Sequence, residues 1–290
     1  MSFVSPKILL RRLGLKPKKS WGQHFLLHPH QAHRIVAALD LSPGDLVVEI
    51  GAGLGALTVF LAQQAQQVIA LERDPALAQF LREELFPQTP QVQILCLDVL
   101  NYDFWQLGRE SGRPWKVAGN LPYQITSPLL FKLIACRAAV AQAVLMMQQE
   151  VGDRLLARPG TKDYGVLSVL LQYHFALVRL FSLTPPNFFP PPQVASVVLN
   201  LSPKETLPRA RYEDLLSRVV KMSFATRRKT LNNTLVAQAG ALGLTPDKLR
   251  AILTELDINP GRRGETLSVA EFVAVSNRIS EVIMGGGPGT

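Results

Sequence analysis

The sequence predicts an α/β fold, in which a Rossmann-like, mainly parallel, doubly wound sheet is followed by a small C-terminal all-helical domain. Between Leu46 and Asn200, short β-rich runs alternate with stretches of helical periodicity. Several of these runs are apolar throughout, as in strands that are covered by helices on both faces. After Ser202 the apolar residues recur at spacings of three and four, which is typical of amphipathic helices.

The sheet is predicted from runs rich in apolar and β-branched residues. The segments between the first five runs are long enough for crossover helices, so those five strands are expected to be parallel. The last two runs are separated by a stiff, proline-rich loop (TPPNFFPPPQV), which is too long for a simple hairpin. The predicted strands are 46–50, 68–72, 91–98, 116–120, 143–148, 175–183 and 195–201.

The change of pattern after Ser202 also divides the chain into domains. Residues 1–202 are expected to form a domain with a basic N-terminal arm, and residues 203–284 a helical domain. The closing GGGPGT, residues 285–290, is predicted to be disordered. The predicted helices of the second domain are 212–224, 229–238, 247–256 and 269–283.

The charge of the chain points to a polyanionic partner. Its 290 residues carry a formal net charge of +9, and no Asp or Glu precedes Asp40. This balance is typical of proteins that bind nucleic acid or an anionic membrane surface. Organellar transit peptides also begin without acids, but this arm continues directly into sequence typical of a folded protein. No apolar run approaches the roughly 20 residues of a membrane span, so we expect a cytoplasmic protein.

The cysteine and histidine content predicts no metal site. Cys96 and Cys136 fit no zinc spacing and are expected to be small buried hydrophobes in a reducing compartment. Four histidines lie between His24 and His33, but no Cys or acid accompanies them, so the cluster is assigned to chance.

A glycine loop follows the first predicted strand. Gly51, Gly53 and Gly55 would let the backbone turn tightly and approach a ligand closely. Dinucleotide sites usually space their glycines G-x-G-x-x-G, whereas here the spacing is G-x-G-x-G with Glu49 just before it. A carboxylate at this place suits a positively charged ligand. S-adenosylmethionine carries a sulfonium and an ammonium, and it is the predicted cofactor.

Acidic residues close the next two strands and support the same ligand. Glu72 lies about 20 residues after the loop, where a carboxylate can accept hydrogen bonds from both ribose hydroxyls. Asp98 closes the third strand and could accept from an adenine amino group. Ligands of such sheets bind at the carboxyl ends of the strands, so both acids are expected beside the glycine loop.

The fourth strand ends in Asn120-Leu121-Pro122-Tyr123, which is interpreted as an adenine clamp. The Asn120 side-chain oxygen and the Leu121 carbonyl can accept hydrogen bonds from an exocyclic amine. These bonds become stronger as charge develops on the nitrogen during methyl transfer. The proline holds Leu121 extended, and Tyr123 offers a ring on which a flipped base can stack.

These motifs resemble, in order, those of the ribosomal RNA adenine dimethyltransferase family, in particular its small-subunit, 16S-type members. The resemblance covers residues 18 to 283. It implies a Rossmann-like class I methyltransferase fold and transfer of methyl groups from S-adenosylmethionine to N6 of two adjacent adenosines near the RNA 3′ end. An immature 30S-type subunit is the implied partner, and we expect a monomer. The matching stretches are KKSWGQHFL, VVEIGAGLGALT, VIALERD, GNLPYQITSPLLFKL, QQEVGDRLLARPGTKDYGVLSV, FFPPPQVASVV and FATRRKTLNN.

The resemblance also implies roles for individual residues. His24 and Leu26 should fold over the cofactor, with His24 standing where the family often has Asn. Phe188 matches an aromatic residue that helps stack the target base, whereas Phe189 occupies a place commonly held by a small polar residue. The implied cofactor set is His24, Leu26, Gly51, Glu72, Asp98 and Asn120.

Two basic clusters are candidates for RNA contacts. Arg227, Arg228 and Lys229 stand at a break between two helical patterns, and the overall charge and the resemblance both favour phosphate contact over a solvated turn. The second cluster lies in the arm and comprises Lys16, Lys18 and Lys19.

Four other interpretations remain open from the sequence. Erythromycin-resistance methylases share the fold and clamp, but YGVLSV and the FATRRKTLNN region favour the small-subunit branch. A DNA adenine methyltransferase would usually have Asp or Ser before Pro-Pro-Tyr. A non-catalytic ribosome-assembly factor or an organellar transcription factor would be favoured by loss of Asn120 or the glycine loop, and both are intact. A nicotinamide oxidoreductase is disfavoured by the glycine spacing and Asp98.

Overall fold

The computed structural model describes residues 3–285, except the side chain of Tyr123. It divides the chain into two compact units. The first is Met1–Gly152 with Ala176–Pro203, and the second is Asp153–Phe175 with Lys204–Thr290. Segment 153–175, which the sequence analysis assigned to the first domain, therefore belongs to the second unit. The predicted disordered tail lies outside the described residues from residue 286 onward.

The first unit is built on a seven-stranded sheet with the order β4-β3-β2-β5-β6-β9-β7. The five strands from β4 to β6 are parallel, and β9 pairs antiparallel with β6. A separate two-stranded pair joins β1 to β8. The strands are β1 Phe25–Leu26, β2 Leu46–Ile50, β3 Gln67–Glu72, β4 Val92–Cys96, β5 Trp115–Asn120, β6 Val140–Gln148, β7 Phe175–Leu183, β8 Phe188–Phe189 and β9 Ser196–Pro203.

Three helices begin at a side-chain cap that the local sequence provides. Asp74 caps the fourth helix and Asp103 the fifth, each accepting a backbone N–H of the first turn. In the second unit Thr245 does the same for the tenth. The helices are α1 Pro6–Leu13, α2 Pro29–Ala37, α3 Thr58–Gln64, α4 Pro75–Phe80, α5 Phe104–Ser111, α6 Thr126–Ala135, α7 Gln149–Leu155, α8 Val166–His174, α9 Glu213–Ser223, α10 Pro246–Glu255 and α11 Val269–Gly285.

Strand register brings the predicted site residues to one edge of the sheet. Ile50 at the end of β2 pairs with Leu71 on β3 and with Gly119 on β5. Glu72 and Asn120, which end their strands, and Gly51, which follows β2, therefore lie at the same end of the sheet. All five residues of β2 are buried, as expected for a central strand covered on both faces.

The structure confirms the mainly parallel sheet and the C-terminal helical region, and it corrects three details. Segment 229–238 forms 3-10 turns (Leu231–Asn233 and Val236–Leu242) rather than an α-helix. There the Thr234 hydroxyl donates to the Thr230 carbonyl at 3.0 Å, a local bond that competes with regular helix. The short β1–β8 pair was not predicted. Cys96 is exposed at the end of the edge strand β4, although Cys136 is buried as expected.

Within residues 3–285, none of the helices combines the length and the apolar character needed to cross a membrane.

Candidate active site

A cavity opens at the carboxyl ends of strands β2 to β5 in the first unit. The glycine loop forms one wall, and residues of the N-terminal arm cover another. Among the predicted site residues, the cavity brings together His24, Leu26, Gly51, Gly53, Glu72, Asp98 and Asn120.

Glu49 provides a buried carboxylate to this cavity. Its Oε2 accepts the Thr58 hydroxyl at 2.6 Å, whereas Oε1 is buried and has no hydrogen-bond partner among the described residues. Burial raises the pKa of Glu49 to about 7, against the lowering effect of the Thr58 hydrogen bond. An unpaired buried acceptor costs free energy, so a cationic group of a ligand would satisfy it.

Glu72 is held by two backbone donors. Its Oε2 accepts the Gly53 N–H and its Oε1 the Asp74 N–H, each at 2.7 Å. Burial raises the pKa of this carboxyl, while the hydrogen bonds from Asp74 and Gly53 lower it. Each carboxylate oxygen retains a second lone-pair site, so the group can still accept from two ligand hydroxyls.

The glycines of the loop serve two different purposes. Gly53 has φ +56° and lines the cavity, and a Cβ there would lie 3.2 Å from the Phe25 ring. Gly55 has φ +80° and lies outside the cavity lining, where a Cβ would meet the Leu85 side chain at 2.4 Å. Gly55 therefore permits close packing in this structure, and its contact with the cofactor stays a prediction.

Asp98 lies beyond the end of β4. Its Oδ1 accepts the Leu100 N–H at 3.0 Å and begins a 3-10 turn. Its Oδ2 lies 3.5 Å from the Arg73 guanidinium. These two contacts orient the carboxylate at the rim of the cavity, where it could accept a hydrogen bond from an amino group of a ligand.

The orientation of the Asn120 amide follows from its partner. Asn120 Nδ2 donates to the His24 carbonyl at 2.8 Å, and a carbonyl can only accept. Oδ1 consequently points away from that bond and is available as an acceptor. The His24 ring is fixed in turn, with Nδ1 2.7 Å from the Pro190 carbonyl, so Nδ1 carries the proton. These two hydrogen bonds therefore link the clamp to the N-terminal arm, and the arm to the proline-rich loop.

The other residues predicted to contact the target base are Leu121, Tyr123 and Phe188. Leu121 is buried, and its N–H donates to the Met146 carbonyl at 2.9 Å, which fixes the neighbouring peptide. Tyr123 begins a short 3-10 helix, but its side chain lies outside the described part of the structure. Phe188 is only 2% exposed and pairs with Leu26, so its ring is covered in this structure, and its stacking on the target base stays a prediction. Phe189 is half-buried.

The arm cluster is not uniform. Lys16 and Lys19 are exposed and make no ion pair among the described residues. Lys18 Nζ instead lies 2.8 Å from Oδ2 of the buried Asp74, at the N-terminus of α4. Lys18 is therefore a weaker candidate for an RNA contact than Lys16 and Lys19, because its charge is already paired within the protein, and that contact stays a prediction.

The second cluster is also mixed. Arg227 Nε lies 3.4 Å from Glu265 Oε2. Arg228 and Lys229 are exposed, and the structure shows no ion pair for either within residues 3–285. Two cations of this cluster are thus available to phosphate, and the third is shared with an acid.

Some cavity residues were missed by the sequence analysis. Trp21, Gln23 and Gln124 line the cavity although none was singled out. Gln23 Nε2 donates to Asp74 at 3.0 Å. The sequence feature that could have indicated this contact is the Asp-Pro pair at residues 74–75. That pair predicts a helix cap beside Glu72, to which an arm could bind.

An open, mainly parallel sheet with a glycine loop and acids at successive strand ends is the arrangement of class I methyltransferases. The model of the family described as ribosomal RNA adenine dimethylase matches residues 14–281. Ribosomal RNA small subunit methyltransferase A of Geobacter sulfurreducens is 46% identical over 270 residues, covering 92% of this chain and 96% of that protein. The protein of the same name from Moorella thermoacetica is 43% identical, covering 93% and 95%. The chain belongs to the ribosomal RNA adenine dimethylase family.

Solved structures agree with this assignment. A dimethyladenosine transferase from Plasmodium falciparum superposes with a TM-score of 0.75 and 26% identity, covering 87% of this chain and 96% of that one. The 23S rRNA methyltransferase ErmE gives a TM-score of 0.66 at 24% identity, covering 88% and 99%, which shows a shared fold alone. The predicted family and fold class are confirmed.

Proposed function

We propose that this protein transfers methyl groups from S-adenosylmethionine to N6 of two adjacent adenosines near the 3′ end of small-subunit ribosomal RNA, giving N6,N6-dimethyladenosine. The observation that carries the proposal is the orientation of Asn120. Its amide nitrogen is bound to the His24 carbonyl, and its oxygen is left as an acceptor at the edge of the cofactor cavity. The names of the curated relatives support small-subunit RNA as the substrate.

The cavity fits the cofactor by its hydrogen-bond acceptors. The unpartnered Glu49 oxygen suits the ammonium group, and the Glu72 carboxylate suits the ribose hydroxyls. Asp98 would accept from the adenine amine, and Gly51 and Gly53 allow the backbone to approach closely. When bound, the cofactor supplies an electrophilic methyl carbon on a sulfonium.

The residues of the clamp assist the attack of the amine. The N6 lone pair is delocalised into the adenine ring, so the amine is a weak nucleophile. Asn120 Oδ1 and the Leu121 carbonyl accept its N–H groups, and these bonds strengthen as positive charge develops on nitrogen. Because the methylated nitrogen is acidic, its proton can leave to water after the transfer, and the clamp needs no strong base.

Substrate binding would rely on the exposed cations. Lys16 and Lys19 in the arm and Arg228 and Lys229 in the second unit can contact phosphates. Base stacking by Tyr123 and Phe188 stays a prediction, as do action as a monomer, an immature subunit as the substrate and a cytoplasmic location. Because Phe188 is buried, a base could stack on its ring only if the residues that cover the ring moved.

Product mapping tests the proposal. The protein is incubated with labelled S-adenosylmethionine and immature small ribosomal subunits, with large subunits and adenine-containing DNA as parallel substrates. We expect label only in small-subunit RNA, in adjacent dimethylated adenosines near the 3′ end. Label confined to large-subunit RNA or to DNA would contradict the substrate, and no label in any arm would contradict the activity.

A further inference from the structure

Trp21 occupies a place in the cavity wall that no predicted role explains. It lies in the arm, at the end of the 3-10 helix Lys19–Trp21, and its side chain is half-buried. It lines the same cavity as Glu72 and Asp98. A large aromatic ring in a cavity wall offers a flat apolar surface against which a ring of a ligand can pack.

Two cations hold the indole ring in place. The Lys18 ammonium lies 4.2 Å from the ring centroid and the Arg73 guanidinium 4.8 Å from it. Each belongs to an ion pair, since Lys18 contacts Asp74 at 2.8 Å and Arg73 contacts Asp98 at 3.5 Å. Cation–π contacts of this kind orient an aromatic ring as well as stabilising it.

Asp74 is the anchor of the arrangement. Its carboxylate is buried, caps α4 through the Ala76 N–H, and receives both Lys18 and Gln23. The Lys18 backbone N–H donates to the Gln23 side chain at 2.8 Å, which closes the segment on itself. Residues 18–23 therefore attach as one piece to the residue two positions after Glu72.

The neighbours of Trp21 identify the part of the cofactor it faces. Arg73 follows Glu72, the residue assigned to the ribose, and it pairs with Asp98, the residue assigned to the adenine amine. Trp21 contacts Arg73 and thus lies over the adenosine end of the cavity. Asn120 and its bond to His24 mark the end at which methyl transfer would occur.

We propose that Trp21 contacts the adenosine moiety of the bound cofactor, and that the Lys18–Asp74 ion pair is the latch that keeps Trp21 over it. This inference rests on the proposed function. Lys18 is a positioning residue that acts through Trp21. Each methyl transfer leaves S-adenosylhomocysteine in the cavity, and release of Lys18 from Asp74 would uncover its adenosine end, so the latch slows the exchange of cofactor between successive transfers.

The test uses the full-length protein and S-adenosylhomocysteine in the absence of RNA, so that phosphate contacts play no part. We expect Trp21→Ala to weaken binding by about tenfold in calorimetry, as for loss of an aromatic contact. Trp21→Leu, which keeps apolar bulk, should lose less. Trp105→Phe is the control, because Trp105 is exposed on α5 outside the cavity lining, and it should bind as wild type does.

Fluorescence provides a second readout. In the Trp105→Phe background the remaining tryptophans are Trp21 and Trp115, and Trp115 is fully buried at the opposite end of β5 from Asn120. Ligand binding should therefore change the emission of Trp21. Stopped-flow displacement then gives the dissociation rate of S-adenosylhomocysteine, which we expect Lys18→Met to increase severalfold and Lys18→Arg to restore.

Arg12→Met is the matched control for the latch. Arg12 also joins the N-terminal region to the neighbourhood of α4, through Glu84 at 2.7 Å, but it lies outside the cavity lining. It should leave the dissociation rate unchanged. Unchanged affinity in Trp21→Ala and Trp21→Leu, or an unchanged rate in Lys18→Met, would overturn the inference while the proposed function stands. Failure of the wild-type protein to bind the ligand would overturn both.

Discussion

The polar groups of the cavity and the two basic clusters differ in how the protein holds them. In the cavity each group has a fixed orientation, because Glu72 is held by two N–H donors at 2.7 Å and Asn120 by the His24 carbonyl. In the clusters the cations are exposed, and some are paired with acids while their neighbours are not. Two adjacent lysines can thus differ, because Lys18 forms an ion pair within the protein whereas Lys19 remains available to RNA phosphates.

This difference determines how each region should respond to substitution. A buried polar group that loses its partner carries the full cost of desolvation, so single changes in the cavity have large and specific effects. Exposed cations act through screened charges, so each contributes little and the contributions add. The two regions can therefore be distinguished by experiment without further structural data.

The largest effect is expected from Asn120→Ala. The substitution removes the acceptor that strengthens during methyl transfer, and the loss of one such bond costs on the order of 10²–10³ in rate. It also removes the bond to the His24 carbonyl, so cofactor affinity should fall modestly. Single-turnover methylation measures the first effect and calorimetry the second. A rate within threefold of wild type would show that the clamp works through other groups.

The next effect concerns cofactor affinity. Glu72→Ala removes the acceptor of two backbone N–H groups and of the proposed ribose contacts, which should weaken S-adenosylmethionine by roughly 1–3 kcal/mol. Because the same change frees the Gly53 N–H, thermal unfolding of the unliganded protein must be followed in parallel. Calorimetry that gives the wild-type dissociation constant would remove Glu72 from the cofactor site.

A pH dependence should distinguish Glu49 from the other acids. Because the pKa of Glu49 is about 7, its carboxyl is mostly protonated below that pH. Glu49 must then lose its proton when an ammonium group binds beside it. Affinity should therefore rise with pH, by about eightfold from pH 6.0 to 7.5 if the bound carboxylate is fully ionised. The upper pH of 7.5 stays below the usual pKa of an α-amino group, roughly 7.7 to 8.0, so most of the ligand keeps its ammonium group, and the partial loss of that charge lowers the expected rise by less than about twofold.

Glu49→Gln is the control for this dependence, because the amide can still accept the Thr58 hydroxyl but cannot titrate. We expect a flat profile and weak binding at pH 7.5. In the wild type without ligand, stability should fall as pH rises from about 4.5 to about 7, since the folded state holds more protons than the unfolded chain there. If cofactor affinity depended on pH equally in the wild type and in Glu49→Gln, a group other than Glu49 would be responsible for the titration.

Much of this cavity could be predicted because its chemistry follows strand ends. A run of apolar residues that stops at a carboxylate or an amide predicts both the strand and its ligand edge, and Glu72, Asp98 and Asn120 were found in this way. The identity of the family was carried by motifs of the same kind. Parallel register then placed them together without any knowledge of side-chain contacts.

Contacts between residues distant in sequence could not be predicted. Gly55 and Gly53 belong to the same motif, but a Cβ at Gly55 would meet the Leu85 side chain, whereas Gly53 lines the cavity beside the Phe25 ring. Lys18 and Lys19 are adjacent, but only Lys18 reaches Asp74, 56 positions further along the chain. In segment 229–238 the hydrogen bond from the Thr234 hydroxyl to the Thr230 carbonyl accompanies the 3-10 turns, and periodicity does not reveal such a bond.

The smallest effects are expected in the basic clusters, where they are measured as a slope. Each phosphate contact that is lost should reduce the slope of log K against log salt by about 0.7 to 0.9. Arg228→Ala with Lys229→Ala should therefore reduce it by about 1.4 to 1.8, whereas Arg227→Ala should reduce it by less than one contact, because Arg227 already shares its charge with Glu265. Cofactor affinity should be unchanged in all variants, since none of these residues lines the cavity. Equal slopes for the double variant and wild type would mean that Arg228 and Lys229 form only a solvated turn. An equal loss from Arg227 alone and from the pair would mean that RNA displaces Glu265, so that ion pairs seen without RNA do not decide which cations bind phosphate.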